Sequence, residues 1–398
     1  MLTVEEALEQ ILSRVQPLQT ERADLFDALG RVLAEPIVSR REIPPWANSS
    51  MDGYAVRAAD TGSVELTVVG RIAAGSMPTR GVGAGETMRI FTGAPMPAGA
   101  DAVVPQEDVV ATDGHIRLST RVEPGAYVRT AGEDVRVGDR VLDAGQVLRA
   151  AEIGLLATLG YTQVLVYRRP RVAVLSTGNE LADLGTEPAA GQIPNTNTYA
   201  LMAQILETGG EPINLGVAPD RIEVIEERLR AGLTADMLVS SAGVSVGDLD
   251  LVKAALTKLG AELHLWQVSM RPGKPITFGS VAGRPVFGLP GNPVSAMVTF
   301  ELFVRPALRR LAGHRALERP RIRARATGRI ANPGPRRGYL RVTLAREDGG
   351  WAATLTGDQG SAILSSMVRA DGLAVVPGDT IVETGGDVEV IVLKGFGG

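Results

Sequence analysis

The sequence predicts a multidomain α/β plus β protein built around a doubly wound parallel sheet, and three observations carry that expectation. Between Arg171 and Leu311, apolar strand-like runs alternate with amphipathic helix-like runs, the pattern of buried parallel strands joined by crossover helices. Upstream, to about residue 145, short β-rich runs are separated by Gly, Pro and Asp-Gly turns, as in a small β domain. After Gly313 the chain again reads as strands with turn signals, a final β module of about 80 residues. A length of 398 residues leaves room for two to four domains of roughly 150 residues.

Taken in order, Thr3 followed by Glu6 has the form of a capping box. Ala7, Leu8, Ile11, Leu12 and Val15 place one apolar face on a helix running through residue 16. A second helix is expected from about Glu21 to Leu33. In the β-rich stretch the strand-like runs are Glu65–Val69, Ala102–Val104, Val109–Val110 and His115–Leu118. From Val147 the pattern returns to helix and ends at Gly160, a C-cap residue. Central strands are expected at Arg171–Leu175, Pro212–Val217, Met237–Ser240, Leu263–Val268 and Pro285–Leu289. The helices between and after them fall at Asn197–Leu206, Ile222–Leu229, Leu249–Leu259 and Pro293–Leu311.

Composition excludes several chemistries. With no cysteine, disulfides, cysteine nucleophiles, iron–sulfur clusters and thiolate metal sites are ruled out. His115, His264 and His314 are the three histidines, too scattered for a local metal motif, and read as ordinary packing or surface residues. Aromatic residues at 4% and a net charge of −4 argue against single-stranded nucleic acid, DNA and anionic membrane as partners. The 47 glycines and 24 prolines imply many backbone-built loops. An acidic beginning, MLTVEEALEQ, and the lack of an 18-residue apolar run suggest a cytoplasmic protein without nucleic-acid or membrane partners.

Ligands of open parallel sheets bind at the carboxyl ends of the strands, so the loops after the strands are the place to look. They read Ser176-Thr177-Gly178-Asn179-Glu180, then Ala218-Pro219-Asp220, then Ser241 to Asp250 with Gly243 and Ser245, and finally Pro290-Gly291-Asn292-Pro293. Small residues let backbone N–H groups approach an anion, and helix N-termini at Asn292 and Asp248 favour phosphate. Glu180 and Asp250 offer the hard oxygens that Mg²⁺ takes alongside substrate phosphates. Each loop alone reads equally as a capped turn; together they suggest a nucleotide or pyrophosphate site.

Two further polar clusters precede the sheet, Pro44 to Ala55 around Asp52-Gly53, and Arg89 to Pro97 around Thr92-Gly93. Taken alone, the first is also a β-turn and the second a loop cap. Nine arginines and no acid lie between Arg319 and Arg346. Of these, Arg319, Arg321, Arg323 and Arg325 alternate onto one strand face, which reads as a solvated edge that resists aggregation. Arg271-Pro272-Gly273-Lys274-Pro275 is another basic loop at a strand end.

These residues resemble the molybdenum insertase family, the molybdopterin molybdenumtransferases known as MoeA and as the E domain of gephyrin. The matching elements are PPWANSSMDGYAV, RIFTGAPMPAGADAVVPQEDV, GEDVRVGD, VLSTGNEL, GQIPNTNTYAL, SSAGVSVGDLDLVK, MRPGKPITFG, GLPGNPVSAMVTFE and TGDQGSAILSSM. They run in order over essentially the whole chain. The resemblance implies an elongated N-terminal linker domain at 1–20 and 138–168, an inserted β-rich domain at 21–137, a MogA-like molybdopterin-binding α/β domain at 169–314 and a C-terminal β-barrel-like domain at 315–398. It further implies that adenylylated molybdopterin and molybdate are the substrates, that Mg²⁺ assists hydrolysis with release of AMP, and that molybdenum is left on the pterin dithiolene.

Carried over motif by motif, the resemblance assigns Asp52, Thr92, Glu180, Asp220 and Asp250 to the active cleft, with Glu180 and Asp250 as metal ligands. Ser176, Thr177, Gly178, Gly243, Ser245, Pro290, Gly291, Asn292 and Pro293 would bind the pterin or nucleotide. Molybdate would meet Arg271, Lys274, Arg341 and Ser361, because a forked guanidinium and a hydroxyl suit a tetrahedral dianion. A homodimer with a shared cleft, and a transient contact with the molybdopterin adenylyltransferase, are also implied. The sequence departs from the pattern twice. Gln267 follows Trp266 where many relatives carry a lysine, removing a cation from the expected molybdate pocket, and Ala242 stands where a second glycine is common. Two other functions fit parts of the sequence: a molybdopterin adenylyltransferase, suggested by the α/β domain, and a catalytically weak scaffold of the gephyrin kind.

Overall fold

The structure, a computed structural model, describes residues 1–241, 251–347 and 349–394, with the backbone alone at 265 and 266. Two compact units divide the chain. One consists of Met1–Ala23, Gly30–Ala34 and Leu165–Gly398, the other of Asp24–Leu29 and Glu35–Val164.

In the second unit six strands form one sheet in the order Ala102–Pro105, Gly53–Val56, Glu86–Ile90, Val64–Ile72, His115–Leu118, Val109–Thr112. Neighbouring residues turn to opposite faces, so Ala55 and Val103 enter one buried cluster while Val56, Ala102 and Val104 enter another. The strands Gly53–Val56 and Glu86–Ile90 lie within or beside stretches that the sequence reading treats as polar loops. Gly53 explains the first. A Cβ there would lie 2.0 Å from the Val104 carbonyl oxygen, so glycine alone permits its pairing with Pro105. Asp52-Gly53 is therefore the start of a strand and not merely a turn. The helix Ala150–Thr158 closes on Gly160 at φ 80°, as its sequence predicts.

The helix expected at Glu21–Leu33 does not form. Thr20–Asp24 is a strand and turns follow it, leaving Phe26 86% and Leu29 48% exposed. Helical spacing without a surface to bury it against carries little stability.

The first unit opens with α1 (Val4–Leu12), whose Thr3–Glu6 capping box is complete. Its central sheet and helices follow in order: β1 (Arg171–Thr177), α2 (Thr196–Glu207), β2 (Glu211–Ala218), α3 (Ile222–Gly232), β3 (Met237–Ser241), α4 (Leu251–Lys258), β4 (Glu262–Gln267), β5 (Met270–Arg271), β6 (Pro275–Val281), β7 (Arg284–Leu289) and α5 (Pro293–Thr299). The six-stranded order is β2-β1-β3-β7-β6-β4. Pairings β2–β1, β1–β3 and β3–β7 are parallel, but β7–β6 and β6–β4 are antiparallel. The sheet is thus mixed. β6 was hidden in the sequence because it begins at Pro275, directly behind the basic loop.

Beyond α5 the helix widens into a π-turn over Phe300–Val304 before α6 (Arg305–Leu311). Pro306 brings no N–H to the α-helical ladder, and a π-turn is one way to absorb that gap. The turn carries Glu301, whose carboxylate is 4% exposed. It accepts from Gln204 Nε2 at 2.9 Å and Arg319 Nε at 2.8 Å, with Arg305 Nε at 3.7 Å.

The C-terminal part supplies β8 (Arg321–Ala326), β9 (Arg337–Glu347), β10 (Gly350–Leu355), α7 (Leu364–Arg369), β11 (Gly372–Val376) and β12 (Asp387–Val392). Their order β9-β10-β8-β12-β11 closes back on β9 to make a barrel-like sheet, with β5 paired to β9 at its margin. Arg321, Arg323 and Arg325 are exposed along β8, yet β8 lies between β10 and β12 and is not an edge. Arg319 precedes β8 and turns inward to Glu301.

Candidate active cleft

Because β1, β2, β3 and β7 run parallel, their carboxyl ends share one rim. There the buried Ser176 Oγ meets Thr198 Oγ1 at 2.7 Å, and Thr177 is buried beside it. Gly178 sits at φ 143°, a conformation that favours glycine. A Cβ on it would fall 2.3 Å from Glu180 Oε2, so the exposed Glu180 carboxylate folds back over this glycine. Asn179 and Asp220 lock two loops reciprocally: Asn179 N–H donates to Asp220 Oδ2 at 3.3 Å, and Asp220 N–H to Asn179 Oδ1 at 3.1 Å. A cavity of about 690 Å³ opens here, lined among others by Glu180, Asn197, Ser241, Pro290, Asn292 and Ser295.

Asn197 was not singled out from the sequence. Its Nδ2 donates to Ser241 Oγ and to the Gly291 carbonyl, both at 2.7 Å, tying the first turn of α2 to the end of β3 and to the loop before α5. Only its place in the NTNT run beside a helix cap hinted at a role. Gly243, Ser245 and Asp250, with Ala242 and Asp248, lie outside the described residues. Of the expected metal pair, Glu180 alone is therefore placed. Among the described residues no group of three or more His, Asp or Glu side chains gathers into a metal cluster.

The basic residues converge where β5 joins the C-terminal sheet, with Met270 opposite Arg337 and Arg271 opposite Gly338. Arg336 Nη1 donates to the Met270 carbonyl at 3.1 Å. Gly273, at φ 104°, leaves room for the buried Thr299 Oγ1, which a Cβ would approach to 2.5 Å. Lys274 is half-buried in the same loop, and Gln267 stands across from Pro275. Arg341, on β9, is fully buried. Its Nε donates to Ser366 Oγ at 2.9 Å and its Nη2 to the Gly360 carbonyl at 2.9 Å, while Nη1 has no partner. Burial pushes its pKa down to about 10, Asp358 opposes that shift and the nearby Arg271 adds to it. Next to Gly360, Ser361 accepts from Asn292 Nδ2 at 2.9 Å, and its carbonyl accepts from Val294 N–H at 3.1 Å. Pro293 holds the first turn of α5. Arg271, Arg341, Ser361 and Asn292 are thus brought to one region.

The other unit holds its own pair. Asp52 precedes the strand Gly53–Val56 and Thr92 follows the strand Glu86–Ile90, two neighbours in the sheet. Asp52 Oδ1 accepts from Thr92 N–H at 2.7 Å and from Thr92 Oγ1 at 2.8 Å. Those two hydrogen bonds, with a smaller contribution from Arg89, hold the carboxyl below the usual carboxylate range. The arrangement keeps Asp52 ionised and its orientation fixed.

Known protein families match the chain in three stretches. Residues 2–160 match the model of the MoeA N-terminal region (domain I and II), 173–310 a probable molybdopterin binding domain, and 323–393 the MoeA C-terminal region (domain IV). A molybdopterin molybdenumtransferase of Nostoc sp. is 40% identical over 94% of this chain and 89% of its own. One of Haemophilus influenzae is 38% identical over 93% of each. The crystal structure of a molybdopterin biosynthesis MoeA protein from Pyrococcus horikoshii superposes with a TM-score of 0.84 at 35% identity, covering 100% of both chains.

Proposed function

The chain belongs to the MoeA family, and from that premise we propose how its residues insert molybdenum into the cofactor. It is a transferase of molybdenum cofactor biosynthesis, with molybdopterin and molybdate as substrates. In our reading the molybdopterin arrives adenylylated. Its pyrophosphate lies along the rim at Ser176, Thr177, Gly178 and the Pro290-Gly291-Asn292-Pro293 loop, where Asn197 keeps the loops in register. Glu180 and Asp250 hold Mg²⁺, a hard cation that takes one or two carboxylates and otherwise substrate phosphates. When bound, the ion neutralises charge on the pyrophosphate as AMP is released by hydrolysis. The exposed Glu180 carboxylate over Gly178 is compatible with that role. Asp220, tied to Asn179, positions the same loop, and Asp52, held ionised and oriented by Thr92, supplies a fixed negative charge.

One observation carries the oxyanion assignment. Arg341 is a fully buried guanidinium that, among the described residues, has no carboxylate in ion-pair contact and one N–H group unpartnered. Buried charges are otherwise paired. A molybdate dianion between Arg341, Arg271, Lys274 and Ser361 would complete it. The missing cysteines fit as well, since the sulfur ligands belong to the cofactor and the protein handles molybdenum only as an oxyanion. The proposal extends to a cytoplasmic homodimer with a shared cleft that meets a molybdopterin adenylyltransferase transiently.

The decisive assay gives the purified protein adenylylated molybdopterin, Mg²⁺ and molybdate. AMP and molybdenum cofactor should appear together, and Glu180→Gln should slow AMP release at least about tenfold, one lost carboxylate contact to the ion. If no AMP appears but ATP and molybdopterin give the adenylylated product, the chain is an adenylyltransferase. Binding without turnover would make it a scaffold.

A further inference from the structure

In the sheet of the second unit, three side chains stand side by side across adjacent strands: Tyr54 opposite Arg89, and Arg89 opposite Arg71. Phe91 lies two residues beyond Arg89, on the same face. The Arg89 guanidinium carbon is 5.0 Å from the centre of the Tyr54 ring and 5.1 Å from that of Phe91, and Arg71 is 4.6 Å from Phe91. Two cations thus share one aromatic ring.

The hydrogen bonds of Arg89 go to neutral acceptors. Arg89 Nη1 donates to the Gly53 carbonyl at 3.1 Å and Nη2 to Gln106 Oε1. Of the carboxylates nearby, Asp52 accepts at Oδ1 from Thr92 and feels Arg89 only through space, and Glu107 accepts from Gln106 Nε2 at 3.3 Å. Neither arginine forms an ion pair among the described residues. Five N–H groups form the edge of each guanidinium. The rings cover part of each guanidinium; Arg89 keeps its Nε–H and the second proton of each Nη beyond the two bonds it makes, and Arg71 donates to no group among the described residues, so N–H groups remain for the forked hydrogen bonds a tetrahedral oxyanion accepts. Arg71 is exposed and Arg89 half-buried, so the edges are reachable.

We propose that Arg71 and Arg89, stacked on Phe91 and Tyr54, form an oxyanion-receiving site beside Asp52 that takes a phosphoryl group or molybdate. That this anion is part of the reaction rests on the function proposed above; the site itself does not. Its role would be to dock the anionic end of the substrate against Asp52 while offsetting that carboxylate's repulsion.

Nuclear magnetic resonance on the full chain with isotope-labelled arginine tests it locally. The Arg89 and Arg71 Nε signals, identified by their loss in Arg89→Lys and Arg71→Lys, are followed as inorganic pyrophosphate is added, and separately molybdate. Saturable shifts of both signals with pyrophosphate assign a phosphoryl group; saturation with molybdate alone assigns the metal oxyanion. Arg71→Met, at an exposed position, should weaken the binding about tenfold, the loss of one charge-assisted contact. Signals that fail to move with either anion, or binding unchanged in Arg71→Met, overturn the proposal. Saturable binding in a protein that releases no AMP would sink the proposed reaction and leave this site standing.

Discussion

Two arginine sites in the same unit, one half-buried and one fully buried, differ above all in their counter-charge. Around Glu301 on the π-turn, Arg319 and Arg305 share a carboxylate that is itself buried, and Gln204 fills its remaining acceptor position. Arg341 has backbone carbonyls and a serine instead, and one N–H group left over. The first site carries its own counter-charge, although Arg305 Nε still lacks a hydrogen bond, and it holds the C-terminal barrel to the α/β sheet. The second is incomplete, and its neighbours are another arginine and a serine, the residues an external anion needs. Both lie in the first unit; the absence of an ion-paired acid among the described residues is what makes the second the candidate for an external anion.

The largest test of the contrast removes the acid. Glu301→Ala leaves the half-buried Arg305 and Arg319 without a counter-charge, with only the backbone carbonyls of Leu317 and Leu393 as acceptors, and should cost about 3–5 kcal/mol of stability in urea unfolding. Replacing Glu301 and Arg319 together by leucine should recover much of that loss. Any molybdate-induced stabilisation of the folded fraction should survive, because Arg341 is untouched. Arg341→Met should do the reverse. Its own stability should fall by only about 1–2 kcal/mol, while molybdate, which at about 100 times its Kd adds about 2.7 kcal/mol to the parent protein, should add almost nothing. An equal molybdate increment in both proteins would erase the distinction.

A smaller effect comes from His314. Burial, then Arg309 and Arg305, push its imidazole down to about 4, and Arg309 Nη2 lies 3.1 Å from its Nδ1. The unfolded chain takes up this proton near pH 6.5 and the folded one only near 4, so the unfolded state binds more protons between those values. Stability is therefore full above about 6.5 and declines as the pH falls toward 4. His314→Gln should flatten that limb of the urea midpoint against pH; an unchanged slope would show that other groups set it.

The rim of the sheet was legible in the sequence because alternation of strand and helix is a strong signal and the polar loops follow the strands directly. Ser176, Glu180, Asp220 and Asn292 were found that way. The meeting of Asp52 with Thr92 was not legible from spacing, since it depends on two short strands, one begun by a glycine required by the close approach of Val104. Only the resemblance paired them. The expected helix at Glu21–Leu33 shows the converse: its period was correct but Phe26 and Leu29 had nothing to cover. In the arginine run, alternation placed Arg321, Arg323 and Arg325 on one face, but it gave Arg319 the wrong direction because its partner Glu301 belongs to a separate helix.

The dipeptide Met270-Arg271 belongs by chain to the α/β sheet and by hydrogen bonding to the barrel. That shared custody constrains anyone who would exchange modules among relatives. A graft cut cleanly at the start of the barrel would separate β9 from a strand it did not evolve to lose, and would carry Arg341 away from Arg271. The portable piece is the barrel together with the loop from Gln267 to Pro275, so recombination within such proteins should favour crossovers upstream of that loop.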